Sequence, residues 1–422
     1  MPGLNITSEI GKLKQVVLHA PGPEVEAMTP GEAAQDLYND ILPMAAVRAE
    51  HDRLRAFLAT VARVHELEDL LAECLEGHAG RFEFLELLSD HCPIGGRIDE
   101  LMDLSPGRLA KLVIEGLPAL PGSLAAAFSP RSFSIRPLPN AYFMRDTAAV
   151  FRDYAVSSAM AFDVRLVESL VTRFVFTRHP ELRARGLLLD GPMHRNRFLT
   201  LEGGDLIVVS RNLLAIGVSE RTTADAVEQL AHTAALACDE PVTVLAVILP
   251  KERATIHLDM VFTLVDRDLA LVHGPNILGP ARRPVFRVDA TPGGKHRVRA
   301  LPGLLEGLRE LGHPFEAVLC GNGDPLYEER EQWLSGANSF AFAPGKIVMY
   351  SCNLRTLEAL SAAGFALRRP DDFLGGACDR EDRVLDKVED FGRLVVAFDG
   401  IELARGGGGA RCMTLPVERE EL

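Results

Sequence analysis

The segment EGGDLIVVSRNLLAIGVSERTTADAVEQLAHTAALACDEPVTVLAVIL, Glu202–Leu249, decides how this 422-residue chain is read. A polar Glu-Gly-Gly-Asp opening comes first. Two short apolar runs follow, Leu206–Val209 and Leu213–Gly217, close enough together to form a hairpin. Thr222–Ala237 then carries apolar residues at helical spacing, and Val242–Leu249 is a continuous apolar run of strand length. Opening, strand pair, helix, strand: the segment reads as a ββαβ unit.

Fainter copies lie on both sides. Comparable openings occur at Asn140…Asp146, His257-Leu258-Asp259, Gly336-Ala337-Asn338 and Arg411-Cys412. Strand candidates around them are Ala148–Phe151, Met260–Val265, Leu269–Val272, Ser339–Ala343, Ile347–Tyr350 and Leu394–Phe398, with a further helix at Leu354–Ala363. Such a recurrence suggests modules set around an axis. A radial arrangement would bring Asp146, Glu202, His257 and Cys412 together. Ahead of the repeat the pattern predicts a strand over Lys14–Ala20 and an amphipathic helix over Ile41–Ala62. From Leu67 to Gly116 the texture stays helical, broken at Gly95-Gly96 and Pro106-Gly107, which reads as a small helical insertion.

Bulk properties narrow the function. Hydrophobic residues make up 47% and charged residues 25%, an ordinary globular balance. A net charge of −14 repels phosphate backbones and anionic headgroups, so neither nucleic acid nor membrane is an expected partner. The longest apolar run, Val242–Leu249, is too short to span a bilayer. Met1-Pro2-Gly3-Leu4-Asn5 lacks the basic and apolar regions of a secretory signal. The seven cysteines (Cys74, Cys92, Cys238, Cys320, Cys352, Cys378, Cys412) are scattered with no C-x-x-C pair. That spacing argues against a disulfide framework or structural zinc and fits a reducing cytoplasm. A homo-oligomer is the default expectation for assembly.

Cys412 follows Arg405-Gly406-Gly407-Gly408-Gly409-Ala410-Arg411. Four consecutive glycines cost folding entropy, a cost borne where backbone approaches a ligand or a loop moves. Cys412 is therefore a candidate nucleophile, although composition alone equally allows a loose loop with a chance cysteine. Strand periodicity would put His257 and Asp259 on one side, as general base and partner, as a strand-end hydrogen bond, or as two metal ligands without a companion. Glu202 and Asp205 flank a Gly-Gly turn. Asp146 could grip a planar cation at two points, with Phe143 stacked on it. Arg165 and Arg221 suit a carboxylate.

Jointly, Leu138-Pro-Asn140…Phe143…Arg145-Asp146, Glu202-Gly-Gly-Asp205, Gly217…Ser219-Glu-Arg221-Thr222, His257-Leu-Asp259-Met260, Arg330-Glu-Gln-Trp333…Gly336-Ala-Asn338 and Arg411-Cys412-Met413 resemble the arginine deiminase family. The resemblance runs from Glu9-Ile-Gly-Lys-Leu-Lys to Leu415-Pro416. It implies an α/β fold of the pentein type, a five-module ββαβ propeller over residues 1–66 and 117–422 with a helical insertion at 67–116. It implies hydrolysis of L-arginine to L-citrulline and ammonia through a cysteinyl thiouronium, with no metal or organic cofactor. Cys412 would be the nucleophile and His257 the acid, then base; Asp146 and Asp259 would clamp the guanidinium. Glu202 would orient His257, and Asp205 would support the cluster. Asn140, Arg165 and Arg221 would hold the substrate carboxylate, Phe143 would pack on its aliphatic chain, and Leu37 and Gly406 would line the pocket. The sequence departs from the family where a loop arginine usually stands, here Gly407, in Tyr38-Asn39-Asp40, and at Val167. An amidinotransferase and a non-catalytic guanidino binder are the alternative readings.

Overall fold

The computed structural model describes residues 3–129, 131–194, 199–374 and 386–422, so Cys378 lies outside the described residues. The segment quoted above folds as one unit. A 3-10 turn, Gly203–Asp205, leads into an antiparallel pair, Leu206–Ser210 and Leu213–Val218. The helix Ala224–Cys238 crosses back, and Val242–Ile248 pairs parallel to Leu213–Val218. The Thr223 hydroxyl caps the helix by accepting the Ala226 N–H, and Asp239, left-handed at φ 53, ends it. Ala226, Ala231, Ala234 and Ala235 are buried along the helix, small side chains that let it lie close on the sheet.

Apart from the two-stranded ribbon Leu117–Pro118/Phe133–Ile135, the described residues form five sheets, and the same connection recurs in each. An antiparallel hairpin is followed by a helix and by a strand parallel to the hairpin's second member. The first such sheet uses Ala148–Phe151, Tyr154–Ser157 and Leu187–Asp190. The third uses Phe262–Leu264, Leu269–Val272 and Glu316–Leu319, and the fourth Phe340–Ala343, Lys346–Tyr350 and Leu394–Phe398. The fifth joins distant parts of the chain: Leu415–Arg419 pairs with Leu13–Leu18, which pairs parallel to Arg63–Glu66 after the helix Met44–Val61. A hairpin that the apolar pattern did not announce, Val285–Ala290 and His296–Leu301, widens the second sheet.

The stretch read as a helical insertion is helical, with Leu67–Cys74, His78–Ser89 and Pro106–Glu115 as its main elements. Its apolar faces share a core with the helix Leu166–Arg178, where the rings of Phe84 and Phe174 meet at 4.8 Å. No helix among the described residues is long and apolar enough to cross a membrane.

Charge, not only apolar packing, fills the space between the sheets. Arg145, Arg411 and Arg419 are all buried around Glu9. Arg411 Nε donates to Glu9 at 2.9 Å, and Arg145 Nη2 lies 3.5 Å from the same carboxylate. Burial alone would raise the pKa of Glu9, but the three guanidiniums outweigh it and pull it down to about 2. Removing one partner of a buried ion cluster leaves the others uncompensated, at a cost of about 3–5 kcal/mol. Glu9→Ala should therefore lower the urea midpoint of unfolding markedly, and Glu9→Gln should recover only part of it. An unchanged midpoint would mean that backbone carbonyls alone satisfy these arginines.

Candidate active site

The polar openings of the five sheets meet at one place. The short helix Met144–Thr147 presents Asp146, Glu202 precedes the turn Gly203–Asp205, and His257 precedes a second turn, Leu258–Met260. Asn338 stands before Phe340–Ala343, and Cys412 before Leu415–Arg419. Here one expectation is corrected. His257 and Asp259 are not strand neighbours, because Leu258–Met260 is a 3-10 turn and the strand begins at Phe262. The cause is the Leu258 N–H, which donates to Asp205 Oδ1 at 2.9 Å, so the backbone curls there instead of extending.

The Cys412 sulfur lies 3.8 Å from Asp259 Oδ2, and its backbone N–H donates to Asn338 Oδ1 at 3.2 Å. His257 Nε2 bonds Glu202 Oε2 at 2.9 Å, while Nδ1 faces Asp146 Oδ1 at 3.6 Å. Glu202 is held in turn by the Ala161 N–H at 3.0 Å and approached by Arg221 at 3.5 Å. Asp205 accepts the Ser219 hydroxyl at 2.7 Å and stays behind the site. Arg165 is already paired, with Asp146 at 2.5 Å and Glu168 at 2.7 Å. Asn140 donates its amide N–H to the Asp36 carbonyl at 2.9 Å.

Leu37, Asn140, Phe143, Asp146, Arg165, Arg221, His257, Gly406 and Cys412 line one cavity of about 30 Å³. Glu202, Asp205 and Asp259 form its backing, so all twelve residues singled out from the sequence gather here. The space holds about two waters; a larger guest needs a wall to move. Much of that wall is the glycine loop. A Cβ would stand 2.2 Å from the Tyr142 hydroxyl at 406, 2.6 Å from the Phe143 ring at 408 and 2.7 Å from Asn338 Oδ1 at 409. Close approach therefore accounts for three of the four glycines, and Gly407, at φ 97, supplies the left-handed turn. Leu37 takes the same left-handed region at φ 68, a local cost of about 1–3 kcal/mol.

Electrostatics fixes the resting protonation. Burial would push His257 down, but Asp146, Glu202 and Asp205 outweigh it and bring it up to about 9. Glu202, despite burial, is drawn down to about 2 by Arg221 and His257. The Cys412 thiol is pushed well above its ordinary value by burial, with Asp259 and Asp146 adding to the effect. At neutral pH the site thus holds a thiol and an imidazolium in one lining. Asp146 Oδ1, Asp259 Oδ1, His257 Nδ1 and Arg221 Nε are buried with no hydrogen-bond partner among the described residues. A planar cation placed between the two carboxylates would satisfy both and relieve the repulsion that opposes a thiolate.

A family model described as arginine deiminase matches residues 120–419. The arginine deiminase of Limosilactobacillus fermentum is 33% identical over 441 residues, covering 99% of either chain. That of Treponema denticola is 32% identical over 443 residues, covering 100% of both. The chain belongs to the arginine deiminase family. Solved structures of lower identity share its α/β fold. SxtG, an amidinotransferase from Microseira wollei, aligns at TM-score 0.53 and 12% identity over 100% of this chain and 98% of that one. The N-terminal domain of ArgZ, a cyanobacterial arginine dihydrolase, aligns at 0.51 and 14% over 96% and 97%.

Within this member of the family, the sequence left three contributors without a role. Asn338 was visible as an opening, but not as the acceptor for the Arg411 and Cys412 N–H groups at 3.0 and 3.2 Å. Glu9 stood only as the residue where the resemblance begins, with no role, and Arg253 gave no signal, lying in a polar stretch, Lys251-Glu252-Arg253, that reads as surface. The electrostatics can be tested with alkylating agents and mass mapping of Cys412. At pH 7 a cationic haloacetamidine should modify Cys412 at least about tenfold faster than neutral iodoacetamide; equal rates would mean that the aspartates do not hold the thiol up. Because the His257 pKa is raised, its proton is present below about pH 9 and lost above it. Any reaction needing the imidazolium should fall in kcat/KM as pH rises through 9.

Proposed function

We propose that the chain hydrolyses L-arginine to L-citrulline and ammonia. The observation that carries this reading is the pair of unpartnered carboxylate oxygens, on Asp146 and Asp259, beside the Cys412 thiol and the protonated His257. Substrate guanidinium bridges the two aspartates and fixes its carbon in front of the sulfur. The thiol loses its proton to water as the cation neutralises its neighbours. The thiolate attacks the guanidinium carbon, His257 protonates the departing nitrogen, and the C–N bond breaks to give ammonia and a thiouronium. Neutral His257 then takes a proton from water, the oxygen adds to the same carbon, and the C–S bond breaks as the hydroxyl proton passes to the departing sulfur. Citrulline leaves, with the thiol and the imidazolium restored. Glu202 keeps the imidazole oriented and charged.

Arg165 has a second task in this scheme. Its guanidinium rests on Asp146, the seat assigned to the substrate. An incoming guanidinium displaces it, and the freed edge of Arg165 turns to the substrate carboxylate together with Asn140 and Arg221. Phe143 packs on the aliphatic chain, with Leu37 and Gly406 against it. The five sheets of common connection support a five-module propeller of the pentein type, with residues 67–116 inserted and residues 1–66 and 117–422 forming the catalytic body. Six unpaired thiols among the described residues support a cytoplasmic enzyme.

A citrulline assay of the purified protein tests the reaction. Arginine should be consumed with citrulline released, and Cys412→Ala or His257→Ala should lower the rate at least about a thousandfold without unfolding the chain. Agmatine, which lacks the carboxylate, should be a poor substrate. Ornithine formed in place of citrulline when an amine acceptor is added would establish amidino transfer instead.

A further inference from the structure

A second cavity of about 200 Å³ lies outside the first, walled by Trp333, Leu334, Arg405 and others. The two cavities have Arg253 and Gly407 as common lining residues. Arg253 is half-buried at this boundary, and its Nη1 donates to the Leu37 carbonyl at 2.8 Å. Its Nη2 stands 2.8 Å from where a Cβ at position 407 would be, so Arg253 fills the space that a side chain there would take.

The charges around this boundary are uneven. Arg165 is neutralised by Asp146 and Glu168, and Arg405 by Asp40 and Glu402. Arg253 has no carboxylate partner among the described residues, and its one hydrogen bond there is to the Leu37 carbonyl. Arg221, in the same wall, shares Glu202 with His257 and keeps a buried Nε unpartnered. Burial and then the nearby Arg221 lower the pKa of Arg253, and Tyr38, Glu220 and Tyr142 offset them only in part. Two guanidiniums with spare donors thus line the inner cavity, where the carboxylate of Asp146 is held on one oxygen by Arg165 and that of Glu202 by His257.

We infer that Arg253, together with Arg221, receives the carboxylate of the amino-acid substrate as it passes from the outer cavity to the inner one. The inference rests on the reading that the substrate is arginine. It gives Arg253 a place in the binding order. Arg165 is tied to Asp146 until a guanidinium arrives there, so an entering carboxylate first meets Arg253 and then the unpartnered Nε of Arg221. A bidentate guanidinium–carboxylate contact then selects a substrate that carries a carboxylate at this end over an amine that does not.

Two readouts test this: kinetics with arginine and agmatine, and binding in a Cys412→Ala background. The chain's single tryptophan, Trp333, lines the outer cavity, so its fluorescence reports ligand entry. Arg253→Ala should raise KM for arginine about ten- to a hundredfold with a smaller change in kcat, and should shrink the preference for arginine over agmatine by a similar factor. Arg253→Lys, which keeps the charge but not the fork, should recover part of both. An unchanged KM, or an equal loss for arginine and agmatine, would overturn the assignment, the latter pointing to a purely structural role. Absence of citrulline from the wild-type protein would refute the reaction; the fluorescence titration would still judge Arg253, by whether its removal erodes binding of L-arginine relative to agmatine.

Discussion

The side chain of Arg411 is the tie on which the site depends. It sits next to the candidate nucleophile and reaches Glu9 at 2.9 Å, Asp259 at 2.8 Å and the Leu206 carbonyl at 2.7 Å. Arg145 and Asn338 complete the set, one donating its N–H to the Cys412 carbonyl at 2.9 Å, the other accepting the Cys412 N–H at 3.2 Å. Each of the five sheets thus contributes a bond to the short segment that carries the sulfur. Burying so many charges is costly unless every donor finds an acceptor. That demand fixes the relative placement of the openings more tightly than apolar packing could.

The same economy of charge distinguishes the two sides of Cys412. Behind it, Arg411 is fully engaged, with one nitrogen on Asp259 at 2.8 Å. In front, two carboxylate oxygens and an imidazole nitrogen are left without partners. A neutral guest would leave the charge of the two carboxylates uncompensated, whereas a cation answers both. On the proposed reaction, selectivity for charge and activation of the sulfur arise from one arrangement, since the group that binds is also the group that lets the thiol ionise.

Much of this was legible in the chain. Ala148–Phe151, Leu269–Val272 and Leu394–Phe398 were read to the residue, because strands buried on both faces are continuous apolar runs. The short third strands Arg63–Glu66, Leu187–Asp190 and Glu316–Leu319 were not, since their pairing is supplied by a distant partner and half their residues face outward. The hairpin Val285–Ala290/His296–Leu301 escaped notice because its outer strand is mostly exposed and charged. Site residues were identifiable by type and order, while their geometry was not. The turn at Leu258–Met260 is imposed by Asp205, 53 residues upstream, which no local pattern around His257 reveals. Arg253 was hidden for a similar reason, its neighbours being a carbonyl from residue 37 and a glycine from the far end of the chain.

The fifth sheet joins Leu13–Leu18 to Leu415–Arg419, and Glu9 meets Arg411 across 402 residues. On the ribosome these partners emerge 402 residues apart. The early strand must wait, with one edge unpaired, until Leu415–Arg419 emerges. The other four sheets can form in the order they are made, but this closing step spans a far longer loop and so has the slowest approach. The candidate nucleophile, Cys412, travels with the late strand. A nascent chain therefore has no assembled candidate site until that segment is out, and the site forms in a single event, with the closure of the ring of contacts around Arg411.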